Sequence, residues 1–259
     1  MANPRLSERD VEVLRFAAEH RLVLSDHVRV LLGVSSATAQ SRLRALVKAR
    51  LLVREPVFAG HPACFQITRA GLGLIGSQLS PPRLDLHTYD HDLGLAWLWL
   101  AARRGSFGAV REVVSERKLR SSDARRDPVS QPAGVRLAGT GAGGRPRLHY
   151  PDLLLRTASG HRVAVELELT SKTRSRREKI LMGYAGDRRF DAVLYLVEQK
   201  AIGREVAACA AKLGISRMVQ VQPVSLGNPP PGVGRGRSRE RIISRAQARG
   251  APQQEVRAR

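Results

Sequence analysis

The chain has 259 residues, with 44 Lys or Arg against 23 Asp or Glu and a formal net charge of +21, which points to a polyanionic partner, nucleic acid first. Only Cys64 and Cys209 occur, without Cys-x-x-Cys spacing, which excludes a zinc ribbon and a disulfide framework. No apolar run approaches the roughly 20 residues of a membrane span and residues 1–9 lack signal-peptide character, so no membrane partner and a reducing, cytoplasmic location are expected.

Ser7-Glu8-Arg9-Asp10 offers an N-cap and an acidic first turn, and Val11, Leu14 and Ala18 recur at helical spacing, which predicts a helix to about His20. Ser25-Asp26 caps a second helix through Val28, Leu31 and Leu32, ended by Gly33 where a left-handed residue is useful. Ser35-Ser36 opens a third helix. Its inward face is Ala39, Leu43, Leu46 and Val47, and its outward stripe is Thr38, Ser41, Arg44 and Lys48, with Arg42 at the border. Two short strands, Leu51-Leu52-Val53-Arg54 and Ala63-Cys64-Phe65-Gln66-Ile67, surround a Gly60-His61-Pro62 turn and precede a helix start at Thr68. Helix, helix, helix, hairpin, helix is the order of a winged helix-turn-helix, expected over residues 5–78. Its third helix would read base edges of double-stranded DNA, with Arg54 and His61 touching backbone or minor groove. Use of the same domain for protein contacts is the competing reading.

Residues 79–86, with Pro81-Pro82, read as a linker, and residues 87–225 as a second domain. Residues 87–104 resume helical spacing with Leu93, Ala96, Trp97, Leu100 and Ala101 as the apolar face; Trp97 and Trp99 are expected to pack, and His91 with Asp92 precedes that face. A strand over residues 110–114 leads to Glu116-Arg117-Lys118-Leu119-Arg120, where Glu116 is expected to pair with a nearby Arg. Residues 121–147 are rich in Gly, Arg, Ser and Pro without periodicity and are expected to form a mobile basic loop. Their Gly139-Thr140-Gly141-Ala142-Gly143-Gly144 run lacks the Lys-Ser/Thr of a phosphate-binding loop.

Two apolar strands follow, Asp152-Leu153-Leu154-Leu155 and Val163-Ala164-Val165-Glu166-Leu167-Glu168-Leu169, joined at Ala158-Ser159-Gly160-His161, which predicts an antiparallel hairpin. Alternation places Glu166 and Glu168 on one face, and correct register brings Asp152 near them. Three carboxylates so placed repel one another unless a cation, a proton or an Arg offsets the charge, and an all-oxygen set suits magnesium or manganese. Solvated glutamates on an ordinary amphipathic strand are the plainer reading. A helix over residues 171–184 carries Lys172, Arg174, Arg176, Arg177 and Lys179; an apolar strand over residues 192–197, a helix over 203–213 and a last strand over 218–224 complete an α-β-β-β-α-β-α-β order. From residue 226 to 259 Pro, Gly, Arg and Gln predominate, expected as a disordered basic tail.

Pro151-Asp152, the hairpin and Glu166-Leu167-Glu168 resemble the PD(D/E)XK nuclease core. The whole fold class expected is thus α/β, an N-terminal winged helix-turn-helix joined to a mixed-sheet, nuclease-like domain. The resemblance implies a metal set of Asp152, Glu166 and Glu168. Glu168 stands where that family carries its lysine, so a catalytic lysine would be Lys172 or Lys179. With the winged helix, His91-Asp92-Leu93, Glu116-Arg117-Lys118-Leu119-Arg120 and Glu166-Leu167-Glu168-Leu169-Thr170, the order over residues 5–225 resembles the replication-relaxation family of plasmids and conjugative elements. That resemblance implies a DNA-binding protein of replication or mobilisation, with relaxosome or replication proteins as further partners. It leaves two readings open, a metal-dependent DNA endonuclease and a non-catalytic regulator; a homodimer is compatible with either.

Overall fold

In a computed structural model that describes residues 6–58, 61–127 and 129–226, the chain folds as helices around a mixed five-stranded sheet. Helices α1 (Glu8–Glu19), α2 (Ser25–Leu32) and α3 (Ser36–Lys48) precede strands β1 (Leu52–Glu55) and β2 (Cys64–Ile67) and helix α4 (Arg69–Leu74). Side-chain caps predict the starts of α1 and α3, where Ser7 and Asp10 cap each other's backbone and Ser35 accepts the Thr38 N–H, but not that of α2, where Leu24 takes the place expected of Ser25 and its N–H donates to His27 Nδ1 at 3.0 Å. Gly33 closes α2 at φ 64°, a conformation that costs any other residue type a steric clash. Strands β1 and β2 pair antiparallel from Leu52↔Ile67 to Glu55↔Cys64, and Val23, between α1 and α2, adds a bridge to Phe65. Gly60 of the expected turn lies outside the described residues.

A 3-10 turn (Leu86–Thr88) leads into α5 (Tyr89–Arg103), then β3 (Val110–Ser115) and α6 (Glu116–Ala124). The next two strands, β4 (Val135–Thr140) and β5 (Pro146–His149), pair antiparallel. Then come β6 (Leu153–Thr157), β7 (Arg162–Glu168), α7 (Arg174–Ala185), β8 (Ala192–Val197), α8 (Lys200–Lys212) and β9 (Val219–Pro223). The sheet order is β3-β6-β7-β8-β9; β6 runs antiparallel to both β3 and β7, whereas β7, β8 and β9 are mutually parallel. Parallel neighbours need a crossover, and α7 and α8 supply them.

Both faces of the sheet are covered, which is why β8 is an unbroken apolar run and the acids of β7 stand out. Leu153, Leu155, Val165, Leu167, Leu194 and Leu196 pack with Leu95, Trp99 and the N-terminal helices, while Leu154, Ala164, Val193 and Tyr195 pack under Ile180, Leu181 and Tyr184 of α7 and Ile202 and Val206 of α8.

Two expectations need correction. Residues 121–147 are not an irregular loop: they hold the end of α6 and the β4–β5 hairpin, whose Val135 and Leu137 are buried against α7. The approach is close because α7 carries Gly183 there; a Cβ on it would lie 3.0 Å from the Arg136 carbonyl oxygen. Nor does α5 present one apolar stripe. Leu95, Leu98, Trp99 and Ala102 are buried as well as Leu93, Ala96 and Leu100, whereas Trp97 and Ala101 are only half-buried. One apolar cluster runs from Phe16 and Leu43 through Trp99 to Val165, so the N-terminal helices and the sheet share a core across the expected linker. Arg117 clamps that junction, donating to the carbonyls of Ala18 at 3.2 Å and Ser80 at 2.7 Å.

Candidate nucleic-acid interface and carboxylate site

Helix α3 buries Ala39, Leu43 and Leu46 and exposes Thr38, Ser41, Arg44 and Lys48. The exposed four recur at spacings of three and four, so they form one stripe of short polar and long cationic side chains. Arg54 on β1 and His61 beyond it are also exposed. Arg42 is not part of this surface. Its guanidinium donates to Asp10 at 3.0 Å and to the Ser7 hydroxyl at 2.9 Å, tying α3 to the cap of α1. The Asp10 carboxyl, raised by burial but lowered more by Ser7 and Arg42, stays below its ordinary pKa and ionised.

In the sheet the strand register Leu153↔Val165 places Asp152 just ahead of the β6–β7 ladder. Glu166 and Glu168 project under α7, both nearly fully buried at 1% and 2% exposure. Glu166 Oε1 lies 2.7 Å from His149 Nε2 and accepts the Tyr184 hydroxyl at 2.5 Å. Burial pushes the Glu166 carboxyl up, but the His149 charge, Lys172 and the Tyr184 hydroxyl outweigh it, and its pKa falls below the ordinary range. Burial likewise opposes charge on His149, and Glu166 overcomes it, so the imidazole pKa is raised. The two form a buried ion pair, with Tyr184 kept protonated by burial and by the same carboxylate.

Glu168 is held by a second set: Lys172 Nζ at 3.2 Å and the buried Arg177 at 3.4 Å, while Arg177 reaches Glu205 at 2.8 Å. Arg177 is therefore consumed inside the fold, unlike the exposed Arg174, Arg176 and Lys179 of the same helix. Asp152 accepts the Leu167 N–H at 2.8 Å and meets His91 of α5 at 3.2 Å. Burial lowers the His91 pKa, but the Asp152 hydrogen bond and charge raise it above its ordinary value. Glu116 pairs with Arg120 at 2.7 Å and Arg21 at 3.6 Å, as its basic neighbourhood predicts.

The three carboxylates that the nuclease resemblance assigns to a divalent ion each have protein partners in this arrangement. Glu166 is held by His149 and Tyr184, Glu168 by Lys172 and Arg177, and Asp152 by His91 and the Leu167 N–H. Among the described residues no group of three or more His, Cys, Asp or Glu is placed to hold a metal ion. Sequence reasoning missed His149 as the partner of Glu166; its adjacency to Tyr150-Pro151-Asp152 was the available signal. Compared with protein-family models, curated proteins and solved structures, the chain matches none.

A cleft of about 570 Å³ separates the hairpin side of the N-terminal helices from this end of the sheet, lined by His61 and Leu24 on one wall and by His91, Leu167, Glu168 and Lys172 on the other. No helix among the described residues is long and apolar enough to cross a membrane.

Proposed function

We propose that the chain binds double-stranded DNA through the exposed stripe of α3, in a winged helix-turn-helix arrangement, and that its second part is a nuclease-like domain that serves binding and architecture without a catalytic metal. The stripe of Thr38, Ser41, Arg44 and Lys48 carries the reading: it is the one face of α3 that the core leaves to solvent, on a chain of net charge +21. The β1–β2 hairpin, with its added bridge at Val23, supports Arg54 and His61 as flanking backbone contacts. In the second part, the sheet order with two antiparallel pairs followed by parallel strands, and Asp152, Glu166 and Glu168 at the junction, support a PD(D/E)XK-like fold. A fold of that kind does not bring its chemistry with it. Replication or mobilisation of a plasmid or conjugative element, as in the replication-relaxation family, with relaxosome or replication proteins as partners, rests on the motif resemblance alone.

Fluorescence anisotropy with a labelled duplex tests the reading. Arg44→Ala with Lys48→Ala removes two cations, so the slope of log affinity against log salt should fall by about 1.8 and affinity by at least tenfold. An unchanged slope and affinity would remove α3 from the interface.

A further inference from the structure

The cleft between the N-terminal helices and the sheet has an apolar floor, with Leu93, Gly94, Trp97 and Leu167, and an acidic rim. Asp26, Asp90 and Glu198 line it with Lys172 and with His61, His87 and His91, while Glu168 at its edge is buried and paired with Lys172 and Arg177. On so basic a chain, the exposed carboxylates of Asp90 and Glu198 beside an apolar floor suit a peptide that carries both apolar and guanidinium groups.

One segment of the chain already enters it. After β9 the backbone stays on the sheet, the Val224 N–H donating to the Val197 carbonyl at 2.9 Å and the Leu226 N–H to the Glu198 carboxylate at 3.2 Å. The Leu226 side chain then sits on α5 where Gly94 leaves room; a Cβ on Gly94 would lie 2.5 Å from Leu226 Cδ1 and 2.7 Å from Leu167 Cδ2. The 33 residues that follow, 227–259, contain eight Arg and two Glu, and neither Lys nor Asp. We propose that the cleft is the docking site for this Arg-rich segment of the same chain, anchored by Leu226 and held by guanidinium pairs to Asp90 and Glu198. An extended stretch of ten residues reaches about 33 Å, enough to cross the cleft. Arginines docked there are withdrawn from DNA, so the cleft carboxylates compete with phosphate for the segment.

The contact is measured without DNA, so its failure is distinct from failure of the binding reading. Cys64 and Cys209 are buried, which lets Ser238→Cys carry a thiol-reactive energy acceptor on the full chain, with Trp97 and Trp99 of α5 as donors. Undocked, a 12-residue coil from Leu226 would hold the label about 20 Å away on average, so docking should raise transfer about twofold. Asp90→Asn with Glu198→Gln, both at exposed positions, should abolish that gain, and so should Arg239→Gln with Arg241→Gln, which leaves the described fold untouched. Transfer unaffected by either pair of substitutions and by 1 M salt, about which screening is nearly complete, would overturn the docking. Transfer that rises with protein concentration would place the segment on a second copy and overturn it equally.

Discussion

The α3 stripe and the carboxylate end of β7 treat their charges in opposite ways. On α3, Arg44 and Lys48 point into solvent, and the one arginine with a carboxylate partner, Arg42, lies at the border where it fastens helix to helix. Under α7, Glu166 and Glu168 are buried and each has a cation beside it. Charges left exposed can exchange counterions with a ligand; charges already paired hold the fold together. Residue type and spacing are similar signals in both regions, and only the placement of partners separates an exposed cationic stripe from an internal network.

The largest effect should come from breaking that network. Glu168→Gln removes the buried carboxylate that Lys172 and Arg177 share, leaving Arg177 only the exposed Glu205, and should cost about 3 kcal/mol in urea unfolding. Stabilisation instead would mean that the acids repel one another, as in an empty metal site. Tyr184→Phe removes one hydroxyl from a buried carboxylate and should cost about 2 kcal/mol by the same measurement; no loss would show that His149 alone satisfies Glu166.

The His149–Glu166 pair also has a pH signature. Glu166, depressed in the fold, contributes above its unfolded value and loses the contribution as pH falls through the folded one; His149, raised in the fold, contributes fully below its unfolded value and loses it as pH rises. The stability advantage of the wild type over His149→Gln should therefore be greatest between about pH 4.5 and 6.5 and shrink toward alkaline pH. An advantage that stays flat from about pH 6.5 into the alkaline range would contradict an ionised pair. The smallest effect belongs to Arg42→Ala, about 1 kcal/mol of stability for a half-exposed pair, with the salt slope of duplex binding unchanged. A slope reduced by about 0.9 would return Arg42 to the interface.

Much of this architecture is legible in the sequence because it is written locally. Ser7, Ser35 and Gly33 mark helix ends through backbone chemistry within a few residues, and the unbroken apolar run of β8 signals burial on both faces. The β4–β5 hairpin is not legible in the same way. Only Val135 and Leu137 carry its apolar pattern, and the surface that stabilises it, around Gly183, is distant in the chain. The three acids were recognisable as unusual in apolar strands, but their neutralisation was hidden, since His149 lies 17 residues before Glu166 and Tyr184 lies 18 after it. The share of the core taken by α5 was hidden too, because a helix buried nearly all round loses the stripe that periodicity detects.

The most direct measurement is incubation of the full chain with supercoiled plasmid in magnesium or manganese, followed by gel electrophoresis. Exposed cations on α3 and internally paired acids under α7 predict retarded but intact plasmid, with the same retardation in EDTA. Nicking that requires the metal and is lost in an Asp152→Asn variant of unchanged duplex affinity would contradict the account and make the carboxylate end of β7 an active site.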